Sequence, residues 1–107
     1  MRAILIDADA RSVSEIDLDL SEGDLIDALD RAIGAPVSSP SPLPSDHELW
    51  FDDNFLAKNP TRFFQHRGLP YRYAGRCIIL GEFQGTRDAN AATLTIDQVR
   101  QDIVFTG

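Results

Sequence analysis

Two β-type patterns near the start of the chain, joined by a short polar connection, constrain the fold most strongly. The first is the apolar run Ala3–Ile6. In the second, Ile16, Leu18 and Leu20 alternate with acidic residues, which predicts a strand with one buried face and an acidic outer face. The connection at 7–12 is too short for the crossover helix that a parallel sheet requires. The sequence therefore predicts an antiparallel hairpin.

A helix signal follows this hairpin. Ser21 begins S-E-G-D, which resembles a capping box, and apolar residues then recur at helical spacing as far as Ile33. Gly34 can close a helix in the left-handed conformation, and Pro36 prevents its continuation. We expect the main helix over residues 22–33.

The loops and the remaining strands are predicted from composition. Residues 36–45 contain four prolines and four serines without periodicity, which predicts a surface loop. His47–Phe51 and Arg76–Leu80 are expected strands, and Ile103–Phe105 is expected to be a strand or a packed tail. We expect a polar connection at 84–94. Neither side of the loop is long enough to build its own core, so residues 1–107 are expected to form a single domain.

Two short helices are predicted from start signals. Asn59 before Pro60 combines an N-cap residue with proline at the first helical position, which predicts a helix over 60–67. The pattern Thr95-x-x-Gln in T-I-D-Q is a capping box, which predicts a helix over 96–102. The expected fold is α+β, a small, mainly antiparallel sheet with one main helix and these two short ones.

The charge is unevenly distributed along the chain, whose net charge is −7. Residues 1–54 carry 13 acidic residues against three arginines, whereas residues 55–107 carry four against seven basic residues. An acidic protein is repelled by phosphate backbones unless its positive charge is concentrated locally. We therefore expect a protein partner with a basic surface rather than nucleic acid. The alternative is that the acidic residues only keep the protein soluble.

Cysteine content and hydropathy indicate the compartment. Cys77 is the single cysteine, which excludes an intrachain disulfide and favours a reducing, cytoplasmic setting. The chain contains no apolar run near the roughly 18 residues of a membrane-spanning helix. Its first residues are too acidic for a signal peptide. We expect a cytoplasmic protein that does not contact a membrane.

The D-x-D pair Asp7 and Asp9 raises the question of catalysis. A strand that ends in D-x-D is how haloacid-dehalogenase-like phosphatases present a nucleophile and a general acid to Mg²⁺. That chemistry also needs a phosphate-binding lysine and a parallel sheet, but Lys58 is the only lysine. A metal-dependent hydrolase using Asp7 and Asp9 is therefore a minor alternative to a turn in which these aspartates bond the backbone. We expect no catalytic, cofactor-binding or metal-binding residues and no enzymatic activity.

A basic and aromatic stretch, TRFFQHRGLPYRYAGR, supports a different alternative. Arginines interleaved with phenylalanine and tyrosine can neutralise phosphates and stack on bases. The arginines of this stretch are Arg62, Arg67, Arg72 and Arg76. The simpler interpretation is that the two phenylalanines belong to the core and the arginines form an ordinary outer face. The alternative functions are a small nucleic-acid-binding accessory protein, or docking of an acidic protein surface, including that of a second copy of this chain.

Four short segments stand out together: the opening M-x-A-I-L-I-D, then L-W-F-D-D, N-P-T-R and G-R-C-I-I-L-G. Their layout resembles an uncharacterised family of small domains encoded by bacteriophages, conjugative plasmids and actinobacterial genomes. It implies an accessory protein of a mobile element. The positions that match the pattern are Trp50, Asp52, Asn59 and Gly75.

The leading hypothesis is a non-enzymatic, acidic protein-binding module. Its Asp-rich face would imitate the phosphates of DNA and inhibit a host defence system, as anti-CRISPR and anti-restriction proteins do. The candidate contact residues are Asp17, Asp19, Asp24, Asp27, Asp30, Trp50, Asp52 and Asp53. Trp50 belongs to this set on condition that the face opposite Leu49 and Phe51 is exposed.

Overall fold

The computed structural model describes residues 1–21, 23–37, 39–82 and 89–107, and within these ranges eight strands alternate with two α-helices and one 3-10 helix. In chain order the elements are β1 (Arg2–Asp7), β2 (Ser12–Asp17), α1 (Leu25–Ile33), β3 (Ser41–Pro42), β4 (His47–Trp50), the 3-10 helix (Phe55–Lys58), β5 (Phe63–His66), β6 (Arg72–Tyr73), β7 (Arg76–Gly81), α2 (Ile96–Asp102) and β8 (Ile103–Thr106). The α+β prediction is confirmed.

The strands form two antiparallel sheets. The larger has the order β2-β1-β7-β4-β3, and the smaller has the order β6-β5-β8. β7, which covers the predicted strand Arg76–Leu80, is central and pairs with both β1 and β4. The sequence predicted a single sheet, because nothing in the short β5 and β6 segments indicates which strands they join.

The five-stranded sheet separates two hydrophobic clusters. One cluster covers the face against α1, where Leu29 packs with Trp50 and Ile78. The other lies between this sheet, the smaller sheet and α2, and its centre includes Phe64 and Val99. β1 and β7 carry apolar side chains on both faces, and β4 does so at Leu49 and Trp50, because both faces of the sheet are covered.

The β1–β2 hairpin is confirmed, but its second strand is Ser12–Asp17 rather than the predicted 15–20. The register places Val13 opposite Ile6, so Val13 supplies the buried side chain near the turn. Leu20, in contrast, is 39% exposed. The strand begins earlier than predicted because the turn at 8–11 is tight, with Arg11 in the left-handed region.

The main helix begins later than predicted. Gly23 has φ +115°, a backbone conformation that cannot belong to an α-helix, and Asp24 caps the helix instead of Ser21. Asp24 accepts the N–H of Asp27, and the Asp27 side chain accepts the N–H of Asp24, which completes a capping box. Gly34 closes α1 at φ +84°, as expected. Residue 22, where the predicted helix starts, lies outside the described residues.

The predicted helix over 60–67 is wrong, because β5 occupies Phe63–His66. Asn59 does not start a helix; it ends the 3-10 helix at φ +51°. The segment alternates with a period of two, so that Phe64 and His66 are buried and Gln65 is exposed. This pattern buries one face while the backbone pairs with β8, a tertiary partner that the local start signal does not reveal. The helix over 96–102 is confirmed with its Thr95 capping box.

The predicted surface loop at 36–45 is only partly a loop. Ser41–Pro42 pairs with β4, and Leu43 is buried. Leu43 also donates its N–H to the carbonyl of His47 at 2.8 Å, so this part of the loop is tied to the sheet. Most of the predicted polar connection at 84–94 lies outside the described residues.

Candidate functional site

Two cavities flank the 3-10 helix, and Phe55 lines both of them. The first, which we call the polar cleft, has a volume of about 450 Å³ and lies where β1 ends and β7 begins. Its polar lining comprises Asp9, Asp52, Lys58, Asn59, Thr61 and Arg76. Three positions of the family-like pattern, Asp52, Asn59 and Gly75, therefore lie on one cleft.

Asp52 anchors the 3-10 helix that lies between the two cavities. Its side chain is buried, and its Oδ1 accepts the N–H of Asn54 at 2.9 Å. Its Oδ2 binds the ammonium of Lys58 at 2.5 Å, and its backbone carbonyl accepts the N–H of Phe55 at 3.2 Å. Asp52 thus holds both ends of the 3-10 helix rather than facing a partner. Its side chain is only 9% exposed, so Asp52 offers little surface to a partner.

Asp7, the first residue of the D-x-D pair, stabilises the hairpin turn through its side chain. Asp7 Oδ1 accepts the N–H groups of Asp9 at 3.0 Å and Ala10 at 3.1 Å. Arg62 donates to the backbone carbonyl of Asp9 at 2.5 Å. In the part of the chain that the structure describes, no three His, Cys, Asp or Glu side chains are grouped to hold a metal. The geometry accounts for Asp7 through its backbone bonds alone.

The second cavity, which we call the aromatic groove, also has a volume of about 450 Å³. It is lined by Ser41, Phe51, Phe55, Leu56, Phe63, Tyr71, Arg72 and Tyr73. Its floor is an interlocked set of rings. Tyr73 lies 4.9 Å from Phe51 and 5.8 Å from Phe55, measured between ring centroids. Tyr73 is also stacked on the buried Phe64 of the core, so the floor is rigidly attached to the fold.

The rim of the groove is exposed and largely apolar. Leu56 is 67% exposed and Tyr71 is 70% exposed. The guanidinium of Arg72, which also lines the groove, lies 4.3 Å above the ring of Phe63, a cation–π contact that orients its charge. Ser41 Oγ and Tyr73 Oη are 3.1 Å apart, which ties the edge strand of one sheet to that of the other.

The predicted acidic residues lie mainly on and beside α1, where most of them have local partners. We call Asp17, Asp19, Asp24, Asp27 and Asp30 the acidic surface. Asp19 accepts from the hydroxyl of Ser21 at 2.6 Å, and this bond lowers the pKa of its carboxyl. Asp17 binds the amino group of Met1 at 2.6 Å, and Asp30 accepts the N–H of Val37. Asp24 and Asp27 form the capping box.

Trp50 is buried, whereas Asp53 is exposed. Trp50 is 1% exposed, because α1 covers the face opposite Leu49, so the condition on which it was a candidate contact residue is not met. Asp53 is exposed at the turn before the 3-10 helix. The sequence pattern correctly separated Trp50 from Leu49 but did not show that both faces of β4 are buried.

The four arginines proposed for nucleic-acid binding belong to different sites. Arg62 lies at the hairpin turn, Arg67 pairs with Asp102 at 3.0 Å, Arg72 borders the aromatic groove and Arg76 lines the polar cleft. Two of them are therefore engaged with charged or polar protein groups. The arrangement gives less support to a phosphate-tracking surface than their spacing in the sequence suggested.

The buried histidines and the cysteine have structural roles. His47 bonds Ser45 through Nδ1 and Thr93 through Nε2, and His66 accepts the N–H of Gly68 at 2.9 Å. Burial lowers the pKa of His66, with Asp102 opposing and Arg67 reinforcing the effect. Burial also raises the pKa of the Cys77 thiol, and the charges of Asp52 and Asp7 add to this.

The aromatic groove was not predicted from the sequence. Phe51, Phe55 and Tyr71 are separated along the chain, and only the meeting of β3 and β6 brings them together. The one local signal was the short apolar run Phe55–Ala57, which stands between the polar residues Asp52–Asn54 and Lys58–Asn59.

Comparison with protein-family models, curated proteins and solved structures gives no match for this chain. Neither described α-helix has the length and apolar character needed to cross a bilayer.

Proposed function

We propose that this protein is a non-enzymatic protein-binding module whose contact surface is the aromatic groove. The observation that carries the proposal is the exposure of Leu56 and Tyr71 on the rim of a cavity with an aromatic floor. Large exposed apolar side chains that adjoin one another mark interaction surfaces, whereas isolated ones are ordinary.

The composition of the groove resembles that of an interface hot spot. Tyrosine and arginine are enriched among residues that dominate binding energy, and Tyr71 and Arg72 stand side by side on the rim. Ring contacts hold the floor in place, so a partner would not have to order it.

Photo-crosslinking in cells of the source organism tests this proposal. A benzophenone amino acid replaces Tyr71, and a matched variant carries it at Val104, which is 64% exposed but lies on β8 outside the groove. We expect a discrete crosslinked product from position 71 that disappears when Leu56→Ser is added. The proposal fails if position 71 gives no product, or if both positions give the same products.

A second candidate function uses the acidic surface as a DNA mimic, with a mobile-element origin and a host defence complex as the basic partner. Its support is that Asp17 remains 88% exposed despite its local bond, beside Glu15 at 55%. Carboxylates that are held in place and hydrated can present a fixed pattern of negative charge.

The DNA-mimic candidate requires variants that keep the fold. Reversing the charge of Asp24 or Asp27 would break the capping box, whereas asparagine keeps a side-chain oxygen that can accept the same N–H group. The variants Asp17→Asn, Asp19→Asn and Asp27→Asn are therefore preferred. We expect the triple variant to lose inhibition of anti-CRISPR or anti-restriction targets in phage-infection assays. If the triple variant and the wild type give equal phage titres on every defended host, this second candidate is rejected.

A further inference from the structure

The geometry points to an extended, acidic segment of a protein partner that pairs with the free edge of β6 and inserts an apolar side chain into the aromatic groove. This inference rests on the proposed function, because it concerns the occupant of the same groove. Three observations support it: the backbone of Arg72 on β6, unpaired in the described part of the chain, the proline on the outer edge of β3, and the positive charge on the rim of the groove.

Among the described residues, the backbone of β6 leaves one position, that of Arg72, without a hydrogen-bond partner. Arg67 donates its N–H to the carbonyl of Asp102 at 2.9 Å. With the register of β5 and β8, this bond means that the backbone groups of Gln65 and Phe63 face β8. Because pairing alternates along an antiparallel strand, Phe64 faces β6 and bonds its register partner Tyr73. The N–H and C=O of Arg72 therefore point away from β5, and within the described ranges no other group of the chain bonds them.

The opposite side of the groove is closed to pairing. By the same alternation, the bond from Leu43 N–H to His47 C=O means that Ser41 faces β4 and Pro42 faces outward. Proline has no N–H to donate, which blocks an added strand on that edge. An extended segment in the groove would consequently pair with β6 and leave β3 as a wall.

The charge at the rim specifies the partner's chemistry. Arg72 is exposed and its guanidinium is oriented by Phe63, so an acidic side chain next to the paired backbone would meet a fixed positive charge. The half of the chain that carries most of the groove, residues 55–107, has three more basic than acidic residues. In an extended strand alternate side chains point the same way, so one of them enters the apolar groove.

A random seven-residue peptide library displayed on phage provides the probe. The library is selected on the full chain, and an enriched peptide is then synthesised with a fluorophore for anisotropy titrations. We expect enriched peptides to combine an aromatic or branched apolar residue with a neighbouring aspartate or glutamate. Methylation of one backbone nitrogen, the one that pairs with Arg72, should weaken binding at least tenfold, while methylation of adjacent nitrogens should not.

Charge variants separate a local contact from a general effect. Arg72→Glu should weaken binding of the acidic peptide at least tenfold, and Arg72→Gln should weaken it by a smaller factor. Arg76→Glu makes the same change in net charge at an exposed residue of the polar cleft and should have little effect. Thermal unfolding of each variant shows whether it is folded.

The outcomes distinguish this inference from the proposed function. Peptides that bind the wild type and Val104→Ser but not Tyr71→Ser support the groove as the contact surface. If those peptides show no acidic preference and tolerate methylation at every backbone nitrogen, the inference about the occupant is overturned while the groove remains the contact surface. If no peptide is enriched, or binding is equal in Tyr71→Ser, the groove itself is rejected and the inference falls with it.

Discussion

Replacing Asp52 by alanine should destabilise the fold by removing the side chain that holds both ends of the 3-10 helix. The buried carboxylate accepts one backbone N–H, and a hydrogen bond to a charged group contributes about 1.5–3 kcal/mol. The ion pair with Lys58 adds less, at most about 1 kcal/mol, because the lysine is 60% exposed and its charge is screened by water. Lys58 regains hydration when the carboxylate is lost, so no buried charge remains. We expect the free energy of unfolding to fall by roughly 2 kcal/mol.

Urea unfolding followed by the fluorescence of the single tryptophan, the buried Trp50, measures this change. Asp52→Asn keeps an oxygen for the Asn54 N–H and loses only the charge, so its effect should be about half as large. Asp53→Ala, at the exposed neighbouring position, should change stability by less than about 0.5 kcal/mol. The reasoning is refuted if Asp52→Ala matches the wild type, or if Asp53→Ala is equally destabilising. Because Phe55 and Leu56 lie on this helix, Asp52→Ala should also weaken groove binding.

The remaining predictions concern the core, the histidine and the helix cap. Phe64→Ala should lower the free energy of unfolding by about 3–5 kcal/mol in urea titrations, because it empties a fully buried site, and a loss below 1 kcal/mol would contradict the packing. Since burial lowers the pKa of His66 below its ordinary 6.5, the unfolded chain binds the proton more tightly; stability is full above pH 6.5 and declines as the pH falls through the lowered pKa. His66→Asn keeps an acceptor for Gly68 and should flatten that part of the stability profile, whereas an unchanged profile would assign the decline to other groups. Asp24→Ala should cost about 1 kcal/mol and Ser21→Ala less than about 0.5 kcal/mol in thermal or urea unfolding; the reverse order would restore Ser21 as the cap.

The elements specified by local residues were predicted correctly. The α2 capping box at Thr95 and the glycine end of α1 at Gly34 depend only on neighbouring residues, and both are confirmed. The start of α1 was wrong because Ser21 and Asp24 both fit a cap, and the choice depends on the positive φ of Gly23.

Elements that depend on distant partners were not predictable from the sequence. The Asn59-Pro60 signal predicted a helix, but β5 forms because β8 and β6 lie on either side of it. The burial of Trp50 likewise depends on α1 covering β4. The aromatic groove follows from the same cause, since it exists only where the edges of two sheets meet.

The most direct measurement uses the partner protein that crosslinks to position 71. Once it is purified, its affinity is measured for three variants of this chain. Tyr71→Ser should weaken binding at least tenfold, while Val104→Ser and the Asp17, Asp19 and Asp27 asparagine variant should bind as the wild type does. Equal affinity of Tyr71→Ser and the wild type, with loss of binding in the asparagine variant, would contradict the account and assign the contact to the acidic surface.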